Sequence, residues 1–231
     1  MRGIIFNNKD SIKDFGLYVK TSEISPPSKR QTRVSVPFLN GSYNFSSLYG
    51  ENTFEDRTLI YTFDLLENST KELNTIKIEL YKWLLGIGEC KLYDTSIPNY
   101  YFLAECVDIK ENDDEEYSLI EVKFIAYPFK IKEELEGNNL WDNFNFNLDY
   151  LQERIFNVNG TLESEIYNPG IISANPLIIS NSQIKFIFND VEYLLTSGEN
   201  KIPNIKLVPG TNKFKLIGEG TVELRFNSEV L

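Results

Sequence analysis

The chain has 231 residues, enough for one large or two small domains that each bury a core, and its 42% hydrophobic and 25% charged residues are those of a globular protein. Its 23 Lys and Arg against 34 Asp and Glu give a net charge of −11, which excludes a protein built to grip phosphates through a basic stripe. No histidine is present, which removes the commonest general base and the commonest transition-metal ligand, while 16 Phe and 13 Tyr favour sheet. No basic-then-apolar leader opens the chain and no apolar run is long enough to span a bilayer. Synthesis in a cytoplasm without membrane insertion is therefore the expectation.

In chain order, residues 3–6 and 15–20 read as short strands split by the polar turn Asn7, Asn8, Lys9, Asp10. After a Pro26-Pro27 break comes the most informative segment, VSVPFLNGSYNFSSLYGENTFEDRTLIYTF at residues 34–63. It reads as an alternating strand, a turn at Leu39-Asn40-Gly41-Ser42, a strand carrying Tyr43 and Phe45, a loop over residues 50–56 and a strand over residues 59–63. Asn-Gly between alternating apolar residues is a strong hairpin signal, because a type I′ turn needs positive φ at both central positions.

A helix is predicted over residues 69–85, with Ser69 as N-cap and Glu72 reaching back to it. Leu73, Ile76, Leu80, Trp83 and Leu84 fall on one face, which is expected to pack on a sheet, and Gly86 is placed as a left-handed terminator. Strands follow at 89–93, 100–110 and 117–129. The acidic run at residues 111–116 lacks the spacing and glycine of a calcium loop and reads as a solvated hairpin tip. Cys90 and Cys106 lie in strand-like runs and are expected as small, reduced, apolar side chains.

A domain boundary is predicted near Lys132, with residues 133–139 (EELEGNN) as linker. The two sides carry nets of −4 and −7. Beyond Leu140 no helical period appears. Asn159-Gly160 is another hairpin signal, and short strands at 176–179, 184–188, 192–195, 202–207, 213–217 and 221–226 suggest an antiparallel sandwich. The fold class expected is mainly β, with two antiparallel, sandwich-like domains at 1–132 and 133–231, the first carrying the one amphipathic helix.

Several of these elements resemble the distal tail proteins of bacteriophages. The turn V-x-V-P-x-x-x-G at residues 34–41 precedes Tyr49-Gly50 and then Glu55-x-Arg57-x-Leu59-x-Tyr61-x-Phe63. The aromatic-Pro-aromatic step Tyr127-Pro128-Phe129 closes the first part, and Asn168-Pro169-Gly170 and Leu207-x-Pro209-Gly210-x-Asn212 recur in the second. The resemblance implies a first domain that assembles into a homo-hexameric ring around a channel passed by DNA, and a second, galectin-like domain that projects outward. It further implies a place at the virion tail tip, and partners in the tail tube protein, the tail-tip hub or tail-associated lysin, and receptor-binding proteins. No carbohydrate-binding module is inserted in the second domain.

Tested for chemistry, the residues supply no catalytic set, cofactor cradle or metal-ligand set, so none is assigned. Glu163 and Glu165 share one strand face and read as solvated carboxylates. Lys29, Arg30 and Arg33 form the one basic cluster, and pairing with carboxylates of a neighbouring copy is the reading charge complementarity favours. Unspecific surface charge is its alternative. Trp141 and Phe144, with Phe146 and Tyr150, suggest a sugar-stacking platform or, more simply, packing of the linker. The platform would belong to the rival function, a carbohydrate-binding module for bacterial cell-wall glycans.

Overall fold

The computed structural model describes residues 2–46, 48, 50–65, 70–113, 118–138 and 145–231. The protein is mainly β, 52% strand and 6% helix, and divides into two compact units, residues 1–130 with Leu231 and residues 131–230.

In the first unit β1 (Ile4–Phe6), β2 (Lys9–Asp10), β3 (Tyr18–Ile24), β4 (Arg33–Val34), β5 (Tyr43–Asn44) and β6 (Arg57–Leu65) precede the helix α1 (Thr70–Leu84). Then come β7 (Cys90–Asp94), β8 (Tyr100–Asp113) and β9 (Ser118–Ala126), and β10 (Lys130–Lys132) straddles the division. The main sheet runs in the order β2-β1-β7-β8-β9-β6-β3, with antiparallel neighbours. Strict alternation does the sorting. In β6 and β9 every second side chain is buried, so Leu59, Tyr61, Phe63 and Ile120, Val122, Phe124 form one apolar face.

Helix α1 covers that face with Leu80, Trp83 and Leu84, all nearly or fully buried. The Trp83 Nε1–H donates to the carbonyl of Phe6 at 2.8 Å, and Phe15 stacks on its ring at 4.6 Å. Ser69 lies outside the described residues, so the cap expected there is not described. Gly86 is not left-handed, contrary to expectation. It is small for another reason, since a Cβ would stand 2.9 Å from the Lys82 carbonyl oxygen.

The second unit holds β11 (Ile155–Asn168), β12 (Leu177–Ser180), β13 (Ile184–Phe188), β14 (Val191–Leu195), β15 (Gly198–Lys201), β16 (Gly210–Arg225) and β17 (Glu229–Val230). The sheet order is β14-β13-β16-β12-β15, with β11 paired along its own full length to β16 and β17 paired with β10. The core is Phe156, Ile166, Ile178, Phe186, Phe214, Leu216 and Leu224 with their neighbours.

The Asn159-Gly160 hairpin does not form. Asn159 faces Glu219 and Gly160 faces Gly218 in an unbroken ladder. Across Gly218 and Gly220, both at positive φ, β16 exchanges its other partner from β13 to β12. At Gly220 the positive φ disfavours any side chain, and a Cβ there would also crowd the Ser182 and Asn181 side chains. The expected strand at 202–207 is reduced to a single bridge between Ala174 and Leu207. Asn168 and Asn212, from the two Pro-Gly turns, are buried and hold those turns through their own amides.

Within this unit the stretch read as linker is anchored at Glu136. Glu136 is fully buried and pairs at 3.2 Å with Lys132, which also pairs at 2.8 Å with Asp149, while the Ser228 hydroxyl donates to Glu136 at 2.6 Å.

Candidate assembly interface

The feature that stands apart is the connection between β3 and β6. Ser25 still donates to the Thr58 carbonyl, but Pro26 and Pro27 have no N–H to give, and the sheet ladder stops there. The chain then leaves as a two-stranded ribbon. Glu55 N donates to Ser28 O, Arg30 N to Thr53 O and Phe45 N to Thr32 O, each at 2.8 Å, and β4 pairs with β5 through Arg33↔Asn44 and Val34↔Tyr43.

Its tip is wider than the two-residue turn expected at Asn40-Gly41. Residues 35–42 lie outside the ladder, and positive φ falls on Phe38 and Gly41, not on Asn40. Pro37 supplies the reason, since it has no donor for a strand that would run on to the turn.

Every residue from 28 to 41 is exposed. The arm displays Val34, Val36, Phe38, Leu39, Tyr43, Phe45 and Leu48, from 42% exposed at Phe45 to 110% at Phe38. Surface apolar residues are ordinary when scattered, but a run of large ones on one projecting ribbon marks an interaction site. A lone two-stranded hairpin is also marginal in water.

Lys29, Arg30 and Arg33 all lie on the outgoing side of this arm, as one cluster. Arg30 is engaged by its own chain, donating from Nε and Nη2 to Glu55 at 2.7 and 3.0 Å. That pairing raises the Arg30 pKa and lowers that of Glu55. Arg33 Nε donates to Gln31 Oε1 at 3.1 Å. Lys29 bridges through its backbone to Phe54.

At the root of the arm Phe54 meets Phe129 edge-on at 5.3 Å, and Phe129 meets Tyr127 at 5.5 Å. Arg57, the first residue of β6, is 4% exposed. Its Nε donates to the Ser25 carbonyl at 3.1 Å, its guanidinium lies 5.5 Å from the Phe102 centroid, and its enclosed Nη1 has no partner. Alternation along β6 already placed Arg57 on the inward face with Leu59 and Tyr61, which is the signal sequence reading overlooked.

A second buried charge of this unit, Asp94, is satisfied. Asp94 accepts from Arg2 at 2.6 and 3.2 Å, from the Ser96 backbone and hydroxyl at 2.8 and 2.7 Å, and from the Tyr61 hydroxyl at 3.2 Å. Burial would raise the Asp94 pKa, but the hydrogen bonds from Arg2 and Ser96 overcome it and hold the carboxyl below its ordinary value. Burial, together with Asp94, pushes the Tyr61 phenol well above its own. The cluster is structural, joining the chain start to β6 and β7. Both cysteines are free, and burial pushes the Cys106 thiol up to about 11, a poor nucleophile.

In the second unit Trp141 and Phe144 lie outside the described residues. Phe146 is 80% exposed, and Tyr150 stacks on Tyr167 at 4.3 Å. Glu163 and Glu165 oppose Lys215 and Lys213 and, with Ile187 and Asp190, line an open groove of about 610 Å³. Among the described residues no group of three His, Cys, Asp or Glu is placed to hold a metal, and no helix is long and apolar enough to cross a membrane.

No protein-family model and no curated protein sequence matches this chain. Among solved structures it is similar to the SPP1 Dit (gp 19.1) protein, described as a paradigm of the hub adsorption apparatus in phages infecting Gram-positive hosts. The TM-score is 0.70 at 13% identity, covering 100% of both chains. Two structures of the phage P2 baseplate in its activated conformation, with Ca and with Sr, give TM-scores of 0.43 and 0.39 at 10% identity. They cover 100% and 99% of this chain and 98% of each of theirs, likenesses too loose to bear on the fold. At 13% identity the first likeness is one of fold, and the chain has that fold over its whole length.

Proposed function

We propose that this protein, which has the fold of a phage distal tail protein, is a structural, non-enzymatic component of a tail tip. In this reading copies of the first unit close into a hexameric ring that joins the tail tube to the tail-tip hub or tail-associated lysin, and the second unit carries receptor-binding proteins. The observation that carries the proposal is the arm, a ribbon with seven large apolar side chains in water and no layer of its own unit over them. Such a surface is stable in the long term when another chain covers it. Heterologous contacts of this kind close into a ring when the rotation between copies fits.

The charge agrees with a conduit. At −11 per copy, a ring would repel phosphates along its wall and let DNA pass without sticking. Lys29 and Arg33, and Arg30 where its pair with Glu55 exchanges, would meet carboxylates of the adjacent copy. Negative-stain electron microscopy of the purified protein, alone and with tail tube protein, tests the reading. Six-fold rings are expected, and a strictly monomeric particle in both conditions refutes it. Reversing Lys29 and Arg33 to Glu should weaken ring formation and reduce its salt sensitivity.

A second reading rests on the groove lined by Glu163, Glu165, Lys213 and Lys215, whose mixed donors and acceptors suit a cell-wall glycan. Binding of cell-wall polysaccharide by a monomer, lost in Lys213→Ala, would favour it over the ring.

A further inference from the structure

The chain holds two Asn-Gly steps, Asn40-Gly41 and Asn159-Gly160, and all four residues are exposed. Asparagine before glycine is the pair most prone to lose its side-chain amide without an enzyme, because no Cβ on the second residue screens the backbone nitrogen. Loss of the amide requires that nitrogen to swing onto the side-chain carbonyl carbon, and the fold treats the two steps differently. Gly160 faces Gly218 inside β11, a strand paired to β16 over its whole length, so the swing would break the ladder on both sides. Asn40 and Gly41 lie in the tip of the arm, outside the ladder between β4 and β5, and neither has a hydrogen-bond partner among the described residues. Asn181 and Asn227, each before a serine, are held by their side chains. Asn181 Oδ1 accepts from the Thr221 backbone at 2.8 Å, and Asn227 Nδ2 donates to the Lys132 carbonyl at 2.9 Å.

We propose that Asn40, at the tip of the arm, is a site of spontaneous modification, converting from amide to acid through a cyclic imide. The Gly41 nitrogen gives its proton to water and attacks Asn40 Cγ. An N–Cγ bond forms, the Cγ–Nδ2 bond breaks, and Nδ2 leaves as ammonia with the returned proton. Water then opens the ring at either carbonyl, giving aspartate or, with the chain rerouted through the side chain, isoaspartate. Either product places a carboxylate on the stretch that displays Phe38, Leu39 and Tyr43. A charge there must be stripped of water before an apolar partner surface can cover the tip, so conversion weakens assembly through the arm. Seating the tip against another copy also restrains the Gly41 backbone, so assembly slows conversion. Those two consequences rest on the ring reading, whereas the site itself rests on the tip alone.

The test follows the purified full chain in mildly alkaline buffer, dilute enough to be monomeric, by peptide mapping and mass spectrometry. Asn40 is expected to convert at least about tenfold faster than Asn159, which reacts only through local opening of its ladder. In urea, where no ladder remains, the two rates are expected to converge. Equal rates in the folded protein, or an Asn40 that stays an amide, overturns the assignment, as does undiminished conversion of the arm peptide in Asn40→Gln. Rates that still differ in urea would trace the difference to local sequence and overturn the part given to the fold. Sedimentation then compares the wild type with Asn40→Asp, whose self-association is expected to be at least about tenfold weaker at an unchanged melting temperature. Unchanged association of that variant overturns the consequence for assembly. A wild type that never associates but still converts selectively at Asn40 would defeat the ring reading and leave the modification site standing.

Discussion

The arm over residues 28–46 and the strand β6 that follows it are built from similar residues and end in opposite states. Both alternate aromatic and β-branched side chains with polar ones. In β6 alternate side chains are buried, because β9 and β3 flank it and α1 covers the face it helps form. In the arm Val34, Val36, Phe38 and Tyr43 are in water, because a two-stranded ribbon pairs its backbone but has no second layer. Alternation therefore specifies a strand and a face. It does not specify what meets that face. The free energy that β6 realises within its own chain is, in the arm, available only to another one.

The largest effect expected from breaking this contrast is in the sheet. Phe124→Ala removes a fully buried ring packed against Phe6 and Tyr61, at centroid distances of 5.2 and 6.0 Å. Urea denaturation should show a loss of about 3–5 kcal/mol. Next comes the acid limb of stability, set by Asp94. Its folded pKa lies below the unfolded value, so its contribution is complete above the unfolded pKa and is lost as pH falls through the folded one. Melting temperatures should fall below about pH 4, and Asp94→Asn should lower stability at neutral pH while flattening that fall. A wild type with no acid loss would show that Arg2 and Ser96 hold Asp94 less firmly than their geometry indicates.

Smaller still should be the effect of the arm on the folded monomer. Phe38→Ser with Leu39→Ser is expected to change unfolding free energy by less than about 0.5 kcal/mol, while lowering self-association by about tenfold or more. A loss of monomer stability comparable to that of Phe124→Ala would mean the arm is packed on its own chain in solution. Least in size, amide exchange should separate the regions in the monomer, with the hydrogen-bonded Arg30 and Phe45 amides of the ribbon exchanging faster, through local opening, than those of β6 and β9.

The strands and the helix at residues 70–84 were largely readable, because periods of two and of three to four residues survive in the sequence itself. The hairpins were not. Both Asn-Gly steps were natural type I′ candidates, yet Asn40-Gly41 sits in a wide tip and Asn159-Gly160 in a continuous strand. The two-residue turns with paired positive φ are Asn7-Asn8, between β1 and β2, and Asn189-Asp190, between β13 and β14. A dipeptide that tolerates positive φ permits a turn, and cross-strand partners decide whether the chain takes it. Of the candidate site residues, Lys29, Arg30 and Arg33 were legible as a basic group because they are near one another in sequence. Arg57 stands apart from them, and only the alternation of β6 marks it, by placing it on the buried face with Leu59 and Tyr61.

Local order in this protein follows from the chain alone: which stretches alternate, which stripe of α1 is apolar, where prolines interrupt a ladder, and that no histidine chemistry is available. Which apolar faces are covered, which charges find a counter-ion and which are left waiting came from the fold. Periodicity is a property of neighbours along the backbone, whereas burial and charge pairing depend on residues brought from as far away as Arg2 and Asp94, 92 positions apart.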